Sequence, residues 1–119
     1  IAVPADGDTF RCSTGLQVRV AGVEANERHG GCHVPVCPTM PHAQARRTLE
    51  RLTYRQQIRC ERVGRSWRRL VASCRLPDRR RLECALLDAG SVVRWDRYWR
   101  EIGCRGVEVP VFPGCQGGR

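Results

Sequence analysis

The stretch DGDTFRCSTGLQVRVAGVEANE, residues 6–27, decides the fold that we predict for this chain. Within it, Gln17–Val20 alternates polar and apolar side chains, which is the pattern of a β-strand with one buried face. A second short strand is predicted over Thr9–Arg11, and the turn residues at 13–15 separate the two. The stretch therefore predicts an antiparallel strand pair with acidic residues near its ends.

Periodicity and turn residues predict further elements along the rest of the chain. They are a helix from Pro41 to about Leu52, strands over Ile58–Val63 and Leu70–Arg75, a helix over Leu82–Ala89 that Gly90 ends, and an amphipathic helix over Trp95–Ile102. Strands that come first, with helices interspersed, favour an α+β fold in which helices pack outside a small barrel. We expect one domain over residues 1–104 and an irregular tail over 105–119, which is rich in proline and glycine.

The charge of the chain favours an anionic partner. Its 119 residues carry a formal net charge of +9, and all of the strongly basic side chains are arginines. Arginine presents a planar fork of donors that matches phosphate oxygens, and a positive surface attracts nucleic acid. The same charge also occurs in proteins that bind nothing specific. No apolar stretch approaches the ~20 residues that span a bilayer, so we expect no membrane segment. We also expect the protein to be a monomer.

Eight cysteines spread over the chain predict disulfides and an oxidising compartment, hence a secreted or periplasmic protein. Close spacing favours a bridge between Cys32 and Cys37. A strand hairpin favours one between Cys60 and Cys74, and two predicted helices place Cys84 near Cys104; this leaves Cys12 and Cys115 by elimination. A zinc site made of Cys32, Cys37 and the nearby histidines is the weaker alternative, because zinc sites usually use two tightly spaced ligand pairs. We expect His29, His33 and His42 on the loop surface.

Four acids and two arginines are the candidate residues for binding a cation and a phosphate. The acids are expected to converge at one end of the sheet, where carboxylate oxygens suit calcium or magnesium. Two guanidinium groups on neighbouring strands can hold a phosphate. The residues are Asp6, Asp8, Glu24, Glu27, Arg19 and Arg69. Each of them taken singly is also explained as a turn residue or a solvated charge, so the argument depends on their order and spacing together.

That order resembles the staphylococcal nuclease-like (thermonuclease) family. The matching segments are DGDT at 6–9, RVAGVEANE at 19–27, WRRLVA at 67–72 and LLDAG at 86–90. The resemblance covers about residues 3–104 and implies a five-stranded OB-fold barrel with about three helices, stabilised here by disulfides.

The resemblance also implies a role for each matching residue. Calcium would be held by Asp8, Glu24 and the backbone carbonyl of Ala25, with Asp6 as a supporting acid. Glu27 would act as the general base, and Arg19 and Arg69 would hold the phosphate and offset its charge in the transition state. Trp67 would form part of the nucleotide pocket, where an indole can stack on a base. Arg68 competes with Arg69 for the role of the functional arginine.

Three functions follow as hypotheses. The first is a calcium-dependent nuclease that hydrolyses DNA, RNA or both. The second is a non-catalytic OB-fold module that binds nucleic acid, which is favoured by departures from the family pattern at Glu24, Asn26 and Arg68. The third is a disulfide-stabilised extracellular protein with an unrelated partner. We expect Trp95, Tyr98 and Trp99 to pack in the core and not to stack on bases.

Overall fold

The fold is mixed α+β and is built around one sheet. The computed structural model describes residues 2–66, 69–99, 104 and 112–115. Its strands are β1 Ala2–Asp6, β2 Thr9–Cys12, β3 Gln17–Val20, β4 Val23–Glu24, β5 Ile58–Ser66, β6 Arg69–Arg75, β7 Val93–Arg94 and β8 Phe112–Cys115. Its helices, within those residues, are α1 His42–Thr53, α2 Leu82–Ala89 and a 3₁₀ turn at Asp96–Tyr98.

In the described part of the chain, the main sheet has six strands in the order β1-β2-β3-β6-β5-β8. The first three form an antiparallel meander, β3 then pairs parallel with β6, and β6 forms a hairpin with β5. A separate two-stranded ribbon joins β4 to β7. The strands predicted over 9–11, 17–20, 58–63 and 70–75 are confirmed, because alternation with β-branched residues suits a sheet with one buried face.

The core lies between this sheet and the two α-helices. Phe10, Val18 and Val20 are fully buried on β2 and β3, and Leu49 and Leu86 bring α1 and α2 onto them. The predicted helix at 41–52 is confirmed within a residue of its bounds, with Pro41 as its N-cap. The helix at 82–89 is also confirmed, and Gly90 ends it in the left-handed conformation with φ of 77°, which glycine adopts without strain.

The predicted closed barrel is not found. Within the described residues the sheet remains open, with β1 at one edge and β8 at the other. The outer edge of β5 pairs with β8 and not with β1, so the hydrogen bonds that would close the sheet are used elsewhere. Strand β8 lies in the tail that we expected to be irregular.

The predicted helix over Trp95–Ile102 is wrong for its described part. The backbone N–H of Trp95 donates to the carbonyl of Gly22 at 2.7 Å, which extends the β4–β7 ribbon, and Asp96–Tyr98 then form a single 3₁₀ turn. The aromatic spacing therefore reflects different contacts and not one helical face. Residues 100–102 of the prediction lie outside the described residues.

Three predicted disulfides are confirmed. They are Cys32–Cys37, Cys60–Cys74 and Cys84–Cys104, with Cα–Cα distances of 5.7, 4.0 and 5.3 Å. Cys60 and Cys74 are directly opposite in the β5–β6 hairpin, as the cross-strand prediction requires. Cys12 is also disulfide-bonded, while the side chain of Cys115 lies outside the described residues. None of the described helices is long and apolar enough to cross a membrane.

Gly7 lets helix α1 approach the β1–β2 turn that carries the acidic residues. A Cβ atom at Gly7 would lie 2.7 Å from the Cβ of Ala45 and 2.8 Å from the Cβ of Ala25, closer than side-chain carbons can pack. Glycine is therefore required here for space, and this contact fixes the turn against both α1 and the segment that follows β4.

A buried polar network joins β6 to α2. Glu83 accepts a hydrogen bond from the Ser73 hydroxyl, and the Arg81 guanidinium donates to the same hydroxyl at 2.7 Å. All three side chains are buried. Burial raises the pKa of Glu83 above its ordinary value of 4.5, because the charged form loses its hydration, and the Ser73 hydrogen bond only partly opposes this.

We predict that Glu83→Gln removes a pH-dependent loss of stability. Because the folded-state pKa of Glu83 is raised, the folded protein keeps a proton that the unfolded chain has released at the same pH. The quantity to follow is the free energy of unfolding of the wild type minus that of the variant. This difference therefore falls as pH rises from 4.5 to the raised folded-state pKa of Glu83, and above that pKa it is constant.

Urea denaturation of both proteins from about pH 4 to about pH 8 measures this difference. Glu50→Gln, which removes an exposed carboxylate from α1, is the matched control. If the free energy of unfolding of the wild type minus that of the Glu83→Gln variant is flat or rises over this range, the assignment is contradicted.

Candidate functional site

One cavity of about 480 Å³ brings the predicted site residues together at the end of the meander. Its wall contains acids, arginines and aromatic rings in close proximity. The acids are Asp6, Asp8, Glu24 and Glu27; the arginines are Arg19, Arg69 and Arg97; the rings are those of His33, Trp95 and Tyr98. Strands β1, β3, β4 and β6, the β1–β2 turn and the segment after β4 thus place at one mouth the six charged residues whose convergence the sequence predicts.

Arg19 is the most enclosed cation of the site. Its side chain lies on the polar face of β3 and is only 6% exposed. Nη2 donates to Oε1 of Glu24 at 2.9 Å and Nη1 donates to the carbonyl of Val20 at 2.8 Å. Its guanidinium carbon lies 5.1 Å from the centre of the Trp95 ring, a cation–π distance. These contacts fix the direction of the guanidinium from three sides.

The two acids of the DGDT turn have separate partners. Asp8 is buried and accepts hydrogen bonds from the Thr9 hydroxyl at 2.9 Å and from the backbone N–H of Ala25 at 3.0 Å. It also lies 3.6 Å from Nη1 of Arg19. Asp6 instead pairs with Nε2 of His42 at 2.8 Å, at the first turn of α1.

Glu24, Glu27 and His33 form a second charged cluster. Oε2 of Glu24 accepts the backbone N–H of His33 at 2.7 Å and lies 2.8 Å from Nδ1 of the same residue's ring. Oε1 of Glu27 lies 3.5 Å from that ring nitrogen. Glu24 is 1% exposed in its side chain, whereas Glu27 is 44% exposed, so the cluster runs from the protein interior to the solvent.

The surroundings of Glu24 raise the pKa of its carboxyl group. Burial raises the pKa of its carboxyl, and the nearby negative charge of Asp8 adds to that increase. The backbone N–H of His33 and the Arg19 guanidinium act in the opposite direction, but burial dominates.

The loop after β4 is held by side-chain contacts and by a disulfide. Asn26 donates from Nδ2 to the carbonyls of Pro38 and Met40 at 2.7 and 2.9 Å. The Cys32–Cys37 bridge closes the intervening segment and fixes the residue beside His33. The side-chain hydrogen bonds of Asn26 therefore tie the start of this loop to its end.

Arg69 differs from Arg19 in its partners. Its Nη1 donates to the Thr9 hydroxyl at 3.3 Å, and within the described part of the chain it makes no ion pair. Arg97 and Tyr98 also line the cavity, with the Arg97 guanidinium 5.3 Å from the Tyr98 ring centre. The predicted nucleotide-pocket residues Trp67 and Arg68 lie outside the described residues.

Two acids of the predicted calcium site already have partners within the protein. Calcium usually takes six to eight oxygen ligands. Both oxygens of Asp8 accept hydrogen bonds from the protein, and Asp6 is turned to His42. Among the described residues, the group of acids and imidazoles close enough to share an ion is Glu24, Glu27 and His33, and of these only Glu24 belongs to the predicted ligand set.

Searches with protein-family models, among curated proteins and among solved structures find no match to this chain.

Four basic or aromatic residues of the cavity wall were not predicted, namely His33, Trp95, Arg97 and Tyr98. His33 is exposed, as expected of a loop residue, but its ring lines the cavity, whereas His42 is mostly buried at the start of α1 and not on the loop surface. We expected Trp95 and Tyr98 in the core. A signal for His33 was its position next to a cysteine in a disulfide-closed loop, which restricts where its ring can lie. The helical spacing of the aromatic residues predicted that they pack in the core. The β4–β7 ribbon and the 3₁₀ turn instead place Trp95 and Tyr98 in the cavity wall.

We predict that the two glutamates differ sharply in their effect on stability. Glu24→Gln leaves the Arg19 charge buried with only Asp8 nearby, and breaking a buried pair in this way costs about 3 kcal/mol. Glu27→Gln removes a solvent-accessible charge, and the change should stay within about 0.5 kcal/mol.

The measurement is the free energy of unfolding from urea denaturation of the two variants and the wild type at neutral pH. Equal losses in both variants would show that the Arg19–Glu24 pair does not carry the stability of the site.

Proposed function

We propose that this protein is a nuclease that hydrolyses phosphodiester bonds of DNA or RNA in the cavity between β3, β6 and the β4 loop. The single observation that carries the proposal is the presence of Arg19 and Arg69 in one cavity with Glu27 and Asp8. Two guanidinium groups beside an accessible carboxylate, here that of Glu27, suit phosphodiester hydrolysis, because they can offset the charge that develops on the phosphate.

In the proposed reaction, Arg69 receives the phosphate. Its neutral hydroxyl partner is easily exchanged for a phosphate oxygen, and a guanidinium binds such oxygens in pairs. Arg19 approaches from β3 with its direction fixed by Glu24 and Trp95. Because both positive groups are in place before the substrate arrives, they offset the extra negative charge of the transition state without reorganisation.

Glu27 is the proposed general base. Its carboxylate is the more exposed of the two glutamates in the cavity and can accept a proton from a water molecule next to a bound phosphate. Asp8 and Glu24 are buried and hydrogen-bonded, so they are better suited to hold Arg19 and the loop than to exchange protons with solvent.

The staphylococcal nuclease-like family, including its OB-fold, remains the proposed relationship, and calcium is the ion that this relationship implies. The disulfides favour a secreted or periplasmic site of action, because such bonds persist in oxidising compartments. The net charge of +9 supports nucleic acid as the substrate.

A non-catalytic nucleic-acid-binding module is the second candidate. The observation that favours it is the arrangement of the acids: Asp6, Asp8 and Glu24 are each paired with groups of the protein itself. Binding of single-stranded DNA or RNA that weakens with salt, without fragments in the presence of calcium, magnesium or manganese, would select this function.

We predict that Glu27→Gln and Arg69→Ala each lower the rate of cleavage by about 10²- to 10³-fold, because one removes the base and the other a stabilising charge. The assay incubates single- and double-stranded DNA and RNA with each protein, with calcium and with a chelator, and measures fragments.

Glu50→Gln and Arg11→Ala are the matched controls. Both residues are exposed and lie outside the cavity wall, and the changes in net charge are the same. Circular dichroism verifies that each variant is folded. Cleavage at the wild-type rate in folded Glu27→Gln and Arg69→Ala would reject this site.

A further inference from the structure

We infer that Glu24, Glu27 and His33 form a site for a divalent transition-metal ion of the zinc type, in place of the calcium site that the resemblance implies. Ligand atoms of these three residues lie within 4.8 Å of one another, on the wall of the cavity. The inference concerns the ion that the proposed catalytic cavity takes, and the metal site itself can exist without nuclease activity.

The distances suit a small ion. Bonds of about 2.0–2.2 Å to nitrogen and oxygen in a tetrahedral site place the ligand atoms roughly 3.3 Å apart. Nδ1 of His33 lies 3.5 Å from Oε1 of Glu27 and 2.8 Å from Oε2 of Glu24. Only small movements of the exposed Glu27 and His33 side chains are therefore needed to bring all three atoms to bonding distance.

The donor atoms also discriminate between metals. Calcium and magnesium prefer oxygen donors and many of them, whereas imidazole nitrogen is a preferred ligand of zinc and its neighbours. Two carboxylates with one imidazole leave a fourth tetrahedral position toward the cavity for water or substrate.

The surroundings orient the buried ligand. Oε1 of Glu24 accepts from Arg19 at 2.9 Å, which directs Oε2 of the same carboxylate to the cluster. Such outer contacts commonly fix metal ligands. The positive charge of Arg19 opposes a cation, and the Asp8 carboxylate at 3.6 Å from it reduces that opposition.

The consequence for the proposed nuclease is regulatory. A Glu27 carboxylate bound to the ion is a weaker base toward water, because the cation lowers its affinity for a proton. Binding of zinc at this cluster is therefore expected to inhibit cleavage, and removing His33 should weaken that inhibition.

The test is isothermal titration calorimetry with zinc chloride and, separately, with calcium chloride, on the oxidised full chain without reducing agent. Four proteins are compared: wild type, His33→Ala, Glu27→Gln and His29→Ala. His29 is an exposed histidine of the same loop and lies outside the cluster, so its variant controls for adventitious binding to a surface imidazole.

We expect one zinc ion per chain, with affinity lowered at least about tenfold in His33→Ala and in Glu27→Gln and unchanged in His29→Ala. Calcium binding should not depend on His33. Equal zinc affinity in wild type and His33→Ala, or an equal loss in His29→Ala, would overturn the site, and so would calcium binding in the absence of zinc binding.

The outcome is separable from that of the proposed function. A chain that binds zinc through His33 but cleaves no nucleic acid keeps the metal site and rejects the nuclease. A chain that cleaves nucleic acid, but whose zinc affinity is the same with and without His33, keeps the nuclease and rejects the metal site.

Discussion

The buried ion pair between Arg19 and Glu24 is the contact on which the arrangement of the cavity depends. It joins β3 to β4 across a turn at Gly22 and encloses two opposite charges where water is largely excluded. A buried pair is stable only when its remaining donors and acceptors are satisfied. The Val20 carbonyl, the Asp8 carboxylate and the His33 backbone N–H fulfil that condition, and each of them lies on a different segment of the chain.

This requirement explains why the site is assembled from separated segments. The DGDT turn supplies Asp8, which also binds the backbone N–H of Ala25 and so orients the β4 loop. Gly7 allows α1 to pack directly against that turn, since any side chain would meet Ala45. The ribbon between β4 and β7 then brings Trp95 to the Arg19 guanidinium. Packing and electrostatics therefore impose the same geometry on these residues.

Local patterns predicted four of the eight described strands and both α-helices, because the conformation of these elements depends mainly on neighbouring residues in the chain. Alternation predicted β3 and the β5–β6 hairpin, and a glycine with positive φ ended α2 where the sequence indicated. The open sheet was not predictable in this way. Strand β8 contains proline and glycine, which disfavour strands, and it exists through pairing with β5, which lies far earlier in the chain. The aromatic residues from Trp95 onward misled for the same reason, since pairing with Gly22 determines their conformation.

The site was predicted better in its charges than in its contacts. The spacing of six charged residues predicted that they meet, and all six line one cavity. The spacing did not predict which acid pairs with which arginine. That pairing ranks the two arginines for the proposed reaction. A phosphate approaching Arg19 must compete with a carboxylate at 2.9 Å, whereas at Arg69 it displaces only a hydroxyl at 3.3 Å. Competition with a buried carboxylate costs more than exchange of a neutral hydrogen bond. In the proposed reaction we therefore expect Arg69 to capture the phosphate, and Arg19 to act on it once the substrate is bound.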